Sequence, residues 1–309
     1  MCNTHPEIKI PTLLNGRPVP PLIYGTAHRN GKNPPDVREA LERGYRAVDT
    51  ASSRRYHRED EDGRAISAFL VGGSPRSASR DDIFIQSKYS PLPEQEEPGD
   101  HDTSWAYEIK DDTTSRVLKS VLRSAANLEV DVLDVYMLQT PLNSIKGTLE
   151  AWHALELVAR RGGVRYLGIC NVRLSRLQQV FERVEIKPAF VQNWFRRSTG
   201  YDREVAIFCR DHGIVYQIFG VFDDDNKVLL DCEPVRRQAR LRSVSEHQAL
   251  LQMLLATAER IGLRLCVMDG TTSSDHMAEN LKTVAQMDKA SDADIQCFSN
   301  LIGWARQPV

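Results

Sequence analysis

The sequence predicts an α/β fold, a (β/α)8 barrel with an N-terminal β-hairpin and extended loops after its strands. Short apolar runs alternate with longer amphipathic stretches along all 309 residues, a rhythm that places a parallel strand before each helix. Eight such runs occur, the number that closes a barrel. No run is followed by a G-x-G-x-x-G turn, which removes the main support for an open doubly wound sheet, the alternative arrangement.

The elements follow in order. In "IPTLLNGRPVP", residues 10–20, Asn15-Gly16 between apolar arms reads as a hairpin turn. The strands are "LIYGT" (22–26), "YRAVD" (45–49), "DIFIQS" (82–87), "LDVYML" (133–138), "VRYLGI" (164–169), "AFVQN" (189–193), "GIVYQIF" (213–219) and "LRLCVM" (263–268). Their branched and aromatic residues suit a pleated, buried surface. Helices are expected over 35–43, 63–70, 113–128, 146–160, 175–184, 202–211 and 245–260. Their apolar residues recur at helical spacing, as Val37, Ala40 and Leu41 do in the first. The chain after residue 292 reads as one more helix. Two segments break the rhythm: 89–112, rich in proline and acid, and 223–242, which runs from three aspartates to a cluster of arginines. Both follow strands, on the face where such barrels build their sites. They read as solvated loops, with a substrate lid as the sharper alternative. Barrels of this kind fill a chain of this length, so 1–309 is expected to be a single domain.

Composition excludes several partners. A net charge of −2 favours neither nucleic acid nor an anionic membrane. No apolar run approaches the roughly 20 residues that span a bilayer. The opening "MCNTHPEIKI" lacks the apolar stretch of a signal peptide, so a cytoplasmic location is expected. The six cysteines are scattered without a C-x-x-C pair, so neither a metal nor a disulfide framework is expected. Cys170 and Cys266 read as small buried hydrophobes in strands. The expected partner is a small-molecule substrate; the oligomeric state is open.

Three consecutive strand ends carry reactive groups. "YRAVDTASSRRYHRED" ends a strand at Asp49 and places Tyr56 in the loop after it. "IFIQSKYSP" presents Lys88, and "VYMLQTP" presents Gln139 before a proline that stops the strand. Singly each has an ordinary structural use, a cap, a surface charge or a loop anchor. Together they converge on one mouth.

With "GYRAVDTA", "IFIQSKYSP", "LDVYMLQTP", "VRYLGICNV", "KPAFVQN" and "SSDHMAEN" in this order, the chain resembles the aldo-keto reductase family over nearly its whole length. The resemblance implies a barrel that binds NADPH across its C-terminal mouth and reduces carbonyls with an Asp, Tyr, Lys and His tetrad. It places Asp49, Tyr56 and Lys88 in three of these roles and Gln139 in the histidine position. It implies cofactor contacts from Gly25, Thr26, Asn171, Gln192, Phe219, Thr271, His276, Glu279 and Asn280. A cation beside a tyrosine favours tyrosinate, and a carboxylate holds that cation in place.

The departures bear on chemistry. Gln139 can donate an N–H to a substrate oxygen but cannot pass a proton, which leaves Tyr56 as the acid and Gln139 as a positioning donor. Two extra residues separate Asp49 from Tyr56 relative to the family spacing. Cys170 replaces a serine, and Phe219 keeps the aromatic face of a tyrosine. Gly270 and His276 stand where the family has the lysine and arginine that grip the 2′-phosphate, which weakens the case for NADPH over NADH. The acids at 223–225 stand where the family's loop folds over the pyrophosphate, which they would repel unless the arginines of 236–242 compensate. Three functions are compatible with this pattern. The favoured one is an NAD(P)H-dependent oxidoreductase acting on the carbonyl or enone of a bulky, specialised-metabolite substrate. The others are a non-redox isomerase, dehydratase or cyclase on the same scaffold, without the cofactor, and a non-catalytic binding subunit.

Overall fold

The computed structural model describes residues 11–13, 15–27, 36–72, 78–91, 106–108, 110–286 and 290–305. Eight parallel strands close in sequence order: β1 (Leu22–Gly25), β2 (Ala47–Asp49), β3 (Phe84–Tyr89), β4 (Leu133–Leu138), β5 (Val164–Cys170), β6 (Phe190–Trp194), β7 (Val215–Phe219) and β8 (Leu265–Asp269). β8 pairs back onto β1 in the register Leu22 with Val267 and Tyr24 with Asp269. The helices between them are α1 (Val37–Arg43), α2 (Glu59–Val71), α3 (Thr113–Asn127), α4 (Ile145–Arg160), α5 (Leu174–Arg183) and α6 (Arg203–Asp211). After β7 come α7 (Lys227–Leu230), α8 (Glu233–Arg242) and α9 (Glu246–Ile261), and after β8 come α10 (Ser274–Ala285) and α11 (Asp292–Leu301). None of the described helices is long and apolar enough to cross a membrane.

Local chemistry sets the helix starts. Side-chain oxygens of Asp36, Asp112, Ser144, Ser245, Ser273 and Ser291 accept backbone N–H groups at the starts of α1, α3, α4, α9, α10 and α11. α2 begins earlier than its apolar spacing predicts, at Glu59, because four acids in its first turn complement the positive end of the helix dipole. Gly63 lets α2 approach α3 closely: a Cβ there would lie 2.1 Å from the Asn127 carbonyl oxygen.

Strand alternation sorts the side chains into two cores. Outward residues such as Val48, Ile85, Tyr136 and Ile169 pack under the helices. Inward residues fill the barrel: Ile23, Ala47, Phe84, Val135, Met137, Cys170, Phe190, Val215, Cys266 and Met268. The expected hairpin is a tight turn with one antiparallel bridge, Thr12 with Pro18. Leu13 joins the inner core from below, so the turn closes the N-terminal end of the barrel. There the buried Asp134 accepts from Arg80 and Arg165, both at 2.8 Å, and from the Ile85 amide.

The segment 223–242 is largely helical, which corrects its reading as a loop. Its charged composition conceals a helical stripe, Val235, Gln238 and Ala239, that is buried, and α8 packs along α9. Of the other irregular segment, 92–105 and 109 lie outside the described residues.

Candidate active site

A polar layer sits on the apolar interior at the C-terminal ends of the strands. Alternation along β3 carries Phe84, Gln86 and Lys88 inward in turn. Gln86 donates to Asp49 Oδ1 at 2.5 Å and exchanges amide hydrogen bonds with Gln217 of β7, each at 2.9 Å. Gln192 donates to Asp49 Oδ1 at 3.1 Å and to Gln217 at 2.9 Å. Lys88 Nζ contacts both Asp49 oxygens, at 2.6 and 2.7 Å, and the Thr50 carbonyl at 2.8 Å. Both partners are at least nine-tenths buried, with side chains 5% and 8% exposed. The pair is held further by the two amide donors on Asp49 Oδ1 and by the Thr50 carbonyl on the ammonium.

Above this layer opens a cavity of about 1140 Å³. Asp49, Tyr56, Lys88, Gln139, Gly25, Asn171, Gln192, Phe219, Thr271, His276, Glu279 and Asn280 all line it, so it gathers every expected site residue but one. Thr26 is that exception. It is 1% exposed, and its hydroxyl meets His57 Nδ1 at 3.1 Å.

Tyr56 is 39% exposed, with the Arg55 guanidinium 5.2 Å from its ring centre. No described residue hydrogen-bonds its hydroxyl. The two extra residues lie within a turn in which the amides of Tyr56 and His57 both bond the Ser53 carbonyl. Gln139 is ordered from behind: Ser90 Oγ donates to its Oε1, Ser52 Oγ lies 3.2 Å from Ser90 Oγ, and Tyr107 holds the Ser90 carbonyl at 2.5 Å. With Oε1 so engaged, the amide N–H groups are the free donors of this side chain. Asn171, in a left-handed conformation at φ 51°, donates to the Gln139 carbonyl at 2.8 Å.

At one end Phe219 packs against Trp194, ring centres 5.8 Å apart, and offers an aromatic face to the cavity that the Asn171 amide also lines. The other end is acidic. Asp269 accepts from the Tyr45 hydroxyl, from Asn280 Nδ2 at 2.9 Å and from the Thr271 amide at 3.0 Å. Asp223 stands instead on the wall at the Phe219 end, where it accepts from Trp194 Nε1 at 2.9 Å. Asp224 instead pairs with Lys227, and Asp225 accepts from Ser198. The arginines of α8 do not line the cavity: Arg236 pairs with Asp231, and Arg237 and Arg240 with Glu233. Among the described lining residues Lys88 is the only lysine or arginine.

The sequence reading missed His57, Trp194, His247 and Asp269 as lining residues, and Gln86 and Gln217 beneath them. The two glutamines carried a usable signal, since each is a polar residue facing inward in an otherwise apolar strand. Asp62 was hidden inside an acidic run. It is buried, accepts from Thr50 Oγ1 at 2.8 Å, and burial pushes its carboxyl up to about 7.

The description "Aldo/keto reductase family" matches residues 21–224. Among curated proteins, "Glycerol 2-dehydrogenase (NADP(+))" of Hypocrea jecorina is 26% identical over 305 residues, covering 90% of this chain and 88% of that one. "NADPH-dependent codeinone reductase 1-3" of Papaver somniferum is 26% identical over 313 residues, covering 91% and 88%. Among solved structures, the aldo-keto reductase MGS-M4 from a Medee basin deep-sea metagenome library superposes with a TM-score of 0.73 at 21% identity, covering 96% of each chain.

Proposed function

The chain belongs to the aldo/keto reductase family, whose members are oxidoreductases, and we propose that it is a nicotinamide-dependent reductase of a carbonyl or enone in a bulky substrate. The observation that carries the reading is the buried Asp49–Lys88 pair at the floor of a cavity that Tyr56 and Gln139 also line. At about 1140 Å³ the cavity slightly exceeds the usual size of small-molecule sites, which reach roughly 1,000 Å³.

The residues fit the nicotinamide end of a dinucleotide. Asn171 carries an amide for its carboxamide, and Phe219 gives a flat apolar face. A bound nicotinamide supplies the hydride that the carbonyl carbon needs. The protein's own part is to meet the charge that then develops on oxygen. Tyr56 donates to that oxygen as the acid, Gln139 holds it through an N–H, and Lys88 places a positive charge beneath them.

The phosphate end fits a doubly phosphorylated ribose poorly. Gly270 and His276 present no fixed cation, and Asp269 and Glu279 present carboxylates. The preferred cofactor in this reading is NADH. The same shortage of cations among the described lining residues favours a second reading, non-redox chemistry on this scaffold, in which Tyr56 and Lys88 move a proton without any dinucleotide.

Titration of tryptophan fluorescence with NADH and NADPH, followed by turnover of methylglyoxal and of codeinone, tests the first reading. Quenching with NADH and oxidation of it by either carbonyl is the expected result. Absence of binding by both nucleotides overturns it in favour of the non-redox reading.

A further inference from the structure

We propose that Asp269 is a specificity-determining residue of this cavity: by fixing the amide of Asn280 it makes the end opposite Phe219 select a 6-amino purine over a 6-oxo one. The inference rests on the reductase reading above and adds to it the residue that chooses the base of the dinucleotide.

Alternation along β8 turns Cys266 and Met268 into the barrel, so Asp269 points outward, between β1 and α10. It is a carboxylate at the end of an apolar strand, only 4% exposed. No described lysine or arginine pairs with it, and neutral donors alone meet its charge. The Thr271 amide reaches Oδ1 at 3.0 Å. The Tyr45 hydroxyl and Asn280 Nδ2, the latter at 2.9 Å, share Oδ2. Burial keeps the Tyr45 phenol protonated and hence a donor. A buried charge without a cation is costly, so packing alone would not select this arrangement.

What the carboxylate achieves is the orientation of an amide. An ionised carboxylate only accepts, so Nδ2 is the atom of Asn280 that faces it and Oδ1 is turned away. Asn280 lines the cavity. Its Oδ1 finds no partner among the described residues and is not one of the buried unpaired atoms, which leaves it open to a bound molecule. Nδ2 keeps a second hydrogen beside it. An oxygen and an N–H on one amide match the N6 amine and N7 of adenine, the pairing by which asparagine reads that base. Hypoxanthine carries an oxygen at position 6, which would meet Oδ1 lone pair to lone pair. Glu279 lines the same wall, and no described residue pairs with its carboxylate, so a second acceptor stands near the amine. The nicotinamide end of the reading lies at Asn171 and Phe219, so the purine of an extended dinucleotide reaches this opposite end.

Tryptophan fluorescence titration of the whole chain with NADH and with reduced nicotinamide hypoxanthine dinucleotide tests the assignment. The two ligands differ only in the purine, so the ratio of their affinities cancels any general loss of binding. The wild-type chain should hold NADH tighter by about tenfold or more, the scale of one hydrogen bond exchanged for a repulsion. In Asp269→Asn a side-chain NH2 group can stand where Oδ2 stood. Asn280 then turns its own oxygen toward that group and its N–H hydrogens toward the cavity, and the ratio should reverse in favour of the hypoxanthine dinucleotide. Asn280→Leu removes the amide and should bring the ratio near one. Equal binding of the two ligands by the wild-type chain overturns the assignment while the reductase reading stands. So does a ratio that stays within about threefold of wild type in either variant. A wild-type chain that binds neither dinucleotide overturns both.

Discussion

The Lys88 ammonium directs its hydrogens at Asp49 Oδ1, Asp49 Oδ2 and the Thr50 carbonyl, at 2.6, 2.7 and 2.8 Å. All of its donors are used below the cavity floor, so its charge acts on the mouth through space. Lys88→Met therefore strands the Asp49 carboxylate with only the amides of Gln86 and Gln192. Removing one partner of a buried pair costs about 3–5 kcal/mol. Urea unfolding should show a loss of this size for Lys88→Met and a smaller one for the Asp49→Asn/Lys88→Met double variant, which buries no lone charge. Equal losses would mean the pair is not coupled.

Tyr56 stands at the rim, and its role is separable from the fold. Tyr56→Phe removes only an exposed hydroxyl, so the melting temperature should change little. Turnover of carbonyls should fall by about a hundredfold or more, the scale of a lost general acid. Steady-state assay beside a thermal melt checks both halves. Turnover within a few-fold of wild type would move the whole proton delivery to another group.

The barrel was legible because each strand combines branched or aromatic residues with a helix-period segment after it, and these patterns repeat eight times. Asp49, Lys88 and Gln139 were legible because polar residues end three consecutive apolar strands, which brings them to one mouth of the barrel. Segment 223–242 was not, since the buried stripe of α8 is only a few residues wide among arginines. His57 and Asp62 were invisible for a related reason. Each lies in a charged run, "YHREDEDG", whose composition describes a solvated surface. Only the fold reveals that Thr26 meets the His57 ring and that Thr50 donates to the Asp62 carboxyl.

Asp62 should leave a signature in the pH dependence of stability. Its folded-state pKa lies above the ordinary carboxylate value of 3.8, at about 7, chiefly through desolvation. The folded state thus binds this proton more tightly than the unfolded chain does. The stabilising contribution is complete below pH 3.8 and is lost as pH rises through about 7. Subtracting the Asp62→Asn unfolding free energy from that of wild type isolates it. The difference should decline across this interval by on the order of 4 kcal/mol and stay flat above it. A flat difference throughout would mean the carboxyl keeps its ordinary pKa.

Cofactor choice can be reversed at one position. A Cβ at Gly270 would meet nothing closer than the Gly25 carbonyl oxygen at 3.8 Å, so the backbone there has room for the first carbon of the side chain in Gly270→Lys. The new ammonium lies at the acidic end of the cavity. A charge-assisted contact is worth roughly 1.5–3 kcal/mol, or about ten- to a hundredfold in affinity. Fluorescence titration should show NADPH binding tightened by that factor in Gly270→Lys and NADH binding little changed. Tighter NADPH than NADH in the wild-type chain would show that another cation already holds the phosphate.

Gln139 is the position at which the two chemical readings part. Ser90 fixes its Oε1, which turns the amide N–H toward any oxygen bound in the cavity. Ser90→Ala releases that orientation without touching the cavity wall, whereas Gln139→Leu removes the donor and keeps the bulk. In the reductase reading a lost neutral donor costs about 1–3 kcal/mol of transition-state stabilisation, which is roughly a ten- to hundredfold lower kcat. Ser90→Ala should fall part of that way, because the freed amide spends time with its oxygen inward and repels the developing charge. Gln139→His adds a group that can both donate and carry charge, so carbonyl reduction should rise. In the non-redox reading the same histidine leaves carbonyl reduction negligible and lowers the native turnover. Steady-state rates of all three variants on one carbonyl substrate decide the matter. Wild-type rates in Gln139→Leu would reduce the amide to a space-filling residue at the end of β4.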